Sequence, residues 1–131
     1  MVAGYDGSAA AACAVDWAAE EAGRRGVRLV VVGVTPLPPV GSHLPGPVGG
    51  MAGAERAVAR VVAELQERHL LLDVEGRAPA GPPAPTLITH AAGASLLVVG
   101  QRGRGALAAM GLGTVARTCA DQAPCPVAVI P

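Results

Sequence analysis

A glycine-rich segment near the C-terminal end of the chain constrains the fold more than any other feature. Gly100-Gln101-Arg102-Gly103 is followed, after nine residues, by Gly113-Thr114. The apolar run 95–99 leads into the first glycine, and a helical pattern, 114–120, follows the last. A strand that passes through a glycine loop into a helix exposes backbone N–H groups, and glycine lets an anion approach them. The spacing therefore predicts a βα unit that can cradle a phosphate.

Strand and helix patterns alternate along the rest of the chain. The predicted strands cover 2–5, 27–34, 70–74, a run ending at Gly100, and 125–130, and the predicted helices cover 8–25, 54–69, 86–92 and 114–122. A long loop is expected over 35–53, and a proline-rich linker over 79–85. Short strands joined by helical crossovers indicate an α/β protein with a doubly wound, five-stranded parallel sheet. We expect one domain over residues 1–131.

Composition excludes several classes of function. The chain has no lysine, and its ten arginines balance ten acidic residues. A Walker A loop and Schiff-base chemistry both need an ε-amine, so neither is expected, and a neutral chain gives no reason to expect a nucleic-acid partner. The apolar runs are too short for a membrane span, and no signal peptide is visible. We expect a cytoplasmic protein with no membrane partner, in which three cysteines stay reduced.

Catalytic and metal-binding patterns are not apparent in the sequence. His43, His69 and His90 lie at no spacing that suits metal ligands. Ser8 is not accompanied by a recognisable triad, and nothing identifiable would act as a base for Thr114. We therefore assign neither a catalytic residue nor a metal-ligating residue.

Three further segments carry a family resemblance. The spacing Gly-x2-Gly-x9-Gly-Ser/Thr, the opening 2–8, the stretch 91–100 and the ending 123–130 occur in the same order as in the universal stress protein family, which this chain resembles over nearly its whole length. The resemblance implies strand order 3-2-1-4-5 in a fold like that of the adenine-nucleotide alpha hydrolases, with helices on both faces. It also implies a homodimer joined through the last strand, 125–130.

Ligands of doubly wound sheets bind beyond the carboxyl ends of the strands, where the strand order reverses. With the implied order, Asp6 and Gly100 face one crevice. The expected nucleotide-contacting residues are Gly4, Tyr5, Asp6, Val34, Gly100, Gln101, Arg102, Gly103, Arg104, Gly105, Gly113, Thr114 and Val115.

Each part of this site has an expected role. Gly103, Gly113 and the N–H groups of Thr114 and Val115 would hold phosphates, and Arg102 and Arg104 would neutralise charge. The alternative for this loop is a mobile segment with solvated arginines. Asp6 would bind the ribose or adenine edge, or a magnesium ion through water, or serve only the Asp-Gly-Ser turn. Val34 lines the adenine pocket by family resemblance.

We expect an ATP-binding domain that acts as a nucleotide-dependent stress-response regulator. One alternative is a slow ATPase or nucleotidyl transferase that uses the same crevice. The absence of a lysine, a histidine or a second acid near the loop argues against fast catalysis. The other alternative is a dimeric interaction module that binds no nucleotide.

Overall fold

The computed structural model describes residues 1–37, 41, 50–103 and 111–131. Strands and helices alternate through these residues, as β1 Val2–Gly4, α1 Ala9–Arg25, β2 Leu29–Val32, α2 Gly50–Arg68, β3 Val74–Arg77, α3 Pro83–His90, β4 Leu97–Gly100, α4 Thr114–Gln122 and β5 Val127–Ile130. The expected strand-helix alternation is therefore confirmed. Within the described ranges no helix is long and apolar enough to cross a bilayer.

The five strands form one parallel sheet in the order β3-β2-β1-β4-β5. β1 lies between β2 and β4, with Ala3 opposite Val31 on one side and Val98 on the other. From β1 the chain continues outward through β2 to β3, and it then returns to the other side of β1 to form β4 and β5. The order therefore reverses between β1 and β4, as the resemblance implied.

Two apolar clusters fill the layers on either side of the sheet. Helices α1 and α2 cover one face, and α3 and α4 cover the other. The inner side of α1 consists mainly of alanine, with Ala14, Ala18, Ala19 and Ala22 fully buried. These small side chains let the helix lie close to the strands. The chain has no phenylalanine, and valine and leucine fill most of the rest of the core.

The ends of α1 match the sequence pattern. The Ser8 hydroxyl accepts a hydrogen bond from the Ala11 N–H at 3.2 Å, which satisfies one of the unpaired donors of the first turn. At the other end Gly26 adopts a left-handed conformation, with φ at 65°, and closes the helix. Both ends are fixed by local chemistry.

The third strand lies further along the chain than predicted. The run 70–74 was expected to form it, but β3 begins at Val74, and the side chains of Leu70 and Leu71 are 85% and 102% exposed. The N–H of Leu72 donates to the carbonyl of His69 in a turn after α2. An apolar run suggests burial, but here the strand position is set by its register with β2, which the run cannot reveal.

Two helices also begin earlier than predicted. α2 starts at Gly50 instead of residue 54, and α3 starts at Pro83 instead of residue 86. Pro83 and Pro85 of the predicted linker lie in the first turn of α3, and Pro82 is its N-cap. A missing N–H costs nothing there, because no intrahelical acceptor exists for it.

Candidate functional site

The crevice between β1 and β4 brings the two predicted site segments together. Asp6 follows β1, and the glycine loop follows β4 on the neighbouring strand. A Cβ atom built on Gly103 would lie 2.7 Å from Oδ2 of Asp6. The peptide of Gly103 is thus placed directly against the carboxylate, a contact between residues 97 positions apart in sequence.

Asp6 also holds the turn into α1. Its Oδ1 accepts a hydrogen bond of 2.9 Å from the Ser8 N–H, and Gly7 between them has φ at 82°. The carboxylate is exposed, with one oxygen used by the turn and the other directed to the loop. The hydrogen bond from Ser8 confirms turn chemistry for this residue, and its contact with a ligand stays a prediction.

The two described ends of the glycine-rich segment meet before α4. The Gln101 N–H donates to the Ile130 carbonyl at 2.7 Å, and the Gln101 carbonyl accepts from the Gly113 N–H at 2.8 Å. Gly113 is the N-cap of α4 and provides no side-chain cap. The first N–H groups of a helix have no intrahelical acceptor, so those of Thr114 and Val115 lie at the positive end of α4, beside the loop.

The glycines of the site have different roles. A Cβ on Gly100 would lie 2.8 Å from the Ala10 carbonyl carbon, so this glycine permits close approach of α1 to β4. A Cβ on the buried Gly4 would lie 3.1 and 3.3 Å from the two methyl groups of Leu87. Gly103 is exposed and faces Asp6. The absence of a side chain at Gly103 therefore lets the Asp6 carboxylate lie against the loop.

Tyr5 and Val34 lie on opposite faces of the sheet. Tyr5 donates its N–H to the Val32 carbonyl, and its side chain packs with the cluster under α1 and α2. Val34 is half-buried in the other cluster, under α3 and α4. The side chain of Tyr5 therefore belongs to the core, and only its backbone is at the crevice.

Arginine was expected at the rim of the loop. Arg102 is exposed there, close to Gly113, where a built Cβ would lie 3.6 Å from the Arg102 Cα. Arg104 and Gly105 lie outside the described residues. No group of three or more histidine, cysteine, aspartate or glutamate residues that could hold a metal occurs in the described part of the chain.

Thr35 is a polar residue that the sequence analysis did not select. It is 8% exposed, and its hydroxyl has no hydrogen-bond partner among the described residues. Its backbone N–H donates to Pro79 at 3.0 Å, and its carbonyl accepts from Gly81 at 2.9 Å. The signal available in the sequence was a threonine directly after the predicted apolar strand, 27–34.

Comparison with protein-family models matches residues 1–131 to the universal stress protein family. A universal stress protein of Mycobacterium tuberculosis is 33% identical over 130 residues, which are 99% of this chain and 47% of that protein. One of Mycolicibacterium smegmatis is 37% identical over 136 residues, covering 99% and 45%. The chain spans about half the length of these curated relatives.

Solved structures of the same family share the fold. UspA from Lactobacillus plantarum superposes with a TM-score of 0.82 at 22% identity, covering 99% of this chain and 95% of that one. A universal stress protein in complex with cAMP has a TM-score of 0.72 at 25% identity, covering 99% and 94%. The Archaeoglobus fulgidus protein in complex with dAMP has a TM-score of 0.74 at 24% identity, covering 99% and 95%.

Proposed function

Because the chain belongs to the universal stress protein family, we propose that its crevice binds ATP or a related adenine nucleotide. The bound nucleotide would then control the conformation or the partner of the protein, as a regulator of a stress response in the cytoplasm. Some solved relatives are complexes with cAMP or dAMP, which supports an adenine nucleotide as the ligand.

The contact between Gly103 and Asp6 carries this proposal. A phosphate-binding loop needs backbone without bulky side chains, and the missing side chain of Gly103 lets the loop lie against Asp6, where a built Cβ would be 2.7 Å from Oδ2. The N-terminus of α4 adjoins the same loop through the hydrogen bond from Gly113 to Gln101. A glycine peptide, a helix N-terminus and one carboxylate thus lie at the point where the strand order reverses.

Different residues would contact the phosphates, the ribose and the adenine of the nucleotide. Phosphate oxygens would accept hydrogen bonds from the N–H groups of Thr114 and Val115, and Arg102 would neutralise part of their charge. The Asp6 carboxylate would accept from a ribose hydroxyl, or would hold a magnesium ion through water, since Mg²⁺ keeps several waters when bound. The backbone beside Val34 would line the adenine.

Calorimetric titration with ATP, with and without magnesium, tests the proposal. At 100 times its dissociation constant a ligand stabilises the native state by about 2.7 kcal/mol, which raises the melting temperature by roughly 10 °C for a chain of this size. Gly113→Val should abolish binding, because its branched side chain would occupy phosphate space. Ala120→Val, an exposed position on the same helix, should leave binding unchanged.

The outcomes separate the alternatives. Absence of heat and of a thermal shift at millimolar ATP would refute nucleotide binding and favour the dimeric interaction module. Normal ATP binding by a folded Gly113→Val variant would show that the phosphates bind elsewhere. Binding accompanied by steady phosphate release would favour the ATPase.

A homodimer through β5 is part of the proposal. β5 pairs with β4 alone among the described strands, and all four of its residues are half-buried. The carbonyls of Pro126 and Ile130 accept from Leu97 and Gln101, so the alternating backbone directs the polar groups of Val127 and Val129 away from β4. Two copies related by a two-fold axis can pair through these groups.

A further inference from the structure

The opposite edge of the sheet, formed by β3, also has outward-directed backbone groups. β3 pairs only with β2 among the described strands. The carbonyls of Asp73 and Arg77 accept hydrogen bonds from β2, from Leu29 and Gly33 respectively. Because successive residues direct their polar groups to alternate sides, the N–H and C=O of Gly76 point away from β2. The outer edge of β3 can therefore accept another strand.

Two opposite charges, Glu75 and Arg77, flank Gly76 on β3. Glu75 and Arg77 form an ion pair of 2.8 Å on one face of the strand, and both side chains are partly exposed. Arg28 also reaches Glu75, at 3.4 Å. Side-chain hydrogen bonding by Arg77 holds the pKa of the Glu75 carboxyl below its ordinary value, which favours the charged carboxylate. Charges on an edge strand normally prevent pairing with unrelated strands.

One antiparallel register of two β3 strands matches these charges. When Gly76 lies opposite Gly76 of a second copy, their outward backbone groups form a hydrogen-bonded pair. Glu75 then lies opposite Arg77 of the second copy in a non-hydrogen-bonded pair, where side chains approach most closely, and the two-fold axis repeats this pair. If one strand shifts by two residues along the other, Glu75 lies opposite Glu75 of the second copy, or Arg77 lies opposite Arg77. Charge thus selects a single register.

A cavity of about 390 Å³ lies beside this edge, between α2 and β3. Its wall on α2 includes Ala59, Val62 and Ala63, and its floor is Gly76, where a Cβ would lie 2.7 Å from Val58. In the matched register the two α2 helices lie on the same face of the joined sheets, and the cavity wall of each, with Ala59 and Ala63 between Glu55 and Gln66, is on the side of the other. Small side chains permit close packing of helices.

We propose that a second copy of this chain binds at the β3 edge, antiparallel and centred on Gly76. This interface is separate from the proposed nucleotide site and from the β5 edge. It rests on the outward backbone groups, the self-complementary charges and the cavity beside them. A four-residue edge is short, so the association is weak and depends on concentration.

A charge-complementation experiment tests this interface in the full chain. Sedimentation velocity is run up to about 1 mM, where even weak self-association is populated. Glu75→Arg and Arg77→Glu should each raise the dissociation constant about tenfold, because two attractive cross-strand pairs become repulsive. An equimolar mixture of the two variants should regain the wild-type mass, since arginines of one copy then face glutamates of the other. Glu20→Arg, an exposed position on α1, should have no effect.

The mixture makes the result independent of pairing at β5, which is the same in every sample. Equal masses for wild type, both variants and the mixture would overturn the proposal, as would variants that lose association and do not regain it when mixed. If the β3 variants do not fold, Ala63→Arg keeps the test valid, because this exposed residue lies on the cavity wall and outside the strand. Unchanged self-association of Ala63→Arg would then refute the interface.

Discussion

Replacing Gly100 by alanine should destabilise the fold, although sequence alone suggests that this glycine serves a phosphate. Its added Cβ would lie 2.8 Å from the Ala10 carbonyl carbon, 3.0 Å from the Ala10 oxygen and 3.0 Å from the Ala11 nitrogen. All three contacts are with backbone atoms of the first turn of α1. Rotation of a side chain cannot relieve them, so the helix itself has to move away from β4.

The size of the effect follows from these contacts. Adding a methyl group to a closely packed core typically costs about 1–3 kcal/mol. For a chain of this length each kcal/mol lowers the melting temperature by roughly 3–5 °C. We therefore expect Gly100→Ala to melt about 3–15 °C below the wild type.

Gly23→Ala is a matched control with the opposite sign. Gly23 lies inside α1, and a Cβ there would meet nothing within 4 Å. Alanine in a helix is more stable than glycine by about 0.5–1 kcal/mol, so this variant should be more stable than the wild type. Urea unfolding followed through Trp17, the single tryptophan, measures both variants at one protein concentration. Equal or higher stability of Gly100→Ala would refute the argument that close helix packing requires this glycine.

Three further predictions concern charge, assembly and turnover. Hydrogen bonds from Arg25 and Arg24 hold the pKa of the Glu21 carboxyl below its ordinary value. The ionised carboxylate therefore stabilises the native state at any pH above the ordinary pKa, and this contribution is lost as the pH falls through the lowered pKa. The stability of Glu21→Gln, compared by urea unfolding at neutral and acidic pH, should therefore decline less on acidification. Val129→Pro removes a donor on the outer side of β5 and should yield a monomer by light scattering at roughly tens of micromolar, where the weak association at β3 is not populated. The β4 ladder should be kept, and a persistent dimer would exclude the β5 edge. Phosphate release from ATP should stay well below about 1 per second, because no general base is visible, and faster release that disappears in Asp6→Asn would contradict this.

Many of the helix and strand boundaries could be predicted from the sequence alone, because they depend on local chemistry. α1 begins after Ser8 and ends before Gly26 as predicted, because capping depends on residues within one turn. The glycine spacing likewise placed the end of β4 at Gly100 and the start of α4 at Thr114. The alternation of strand and helix patterns was sufficient for the fold class, since parallel strands need crossovers.

Tertiary structure decided which residues meet. No local pattern shows that Gly100 packs on Ala10 or that Gly103 lies against Asp6, because these contacts depend on the neighbouring positions of β1 and β4. β3 shows the same limit. Leu70 and Leu71 have the composition of a strand, yet they are exposed, because pairing with β2 begins only at Val74. Composition and periodicity report what a segment can form, whereas register and contact distance depend on where the other strands and helices lie.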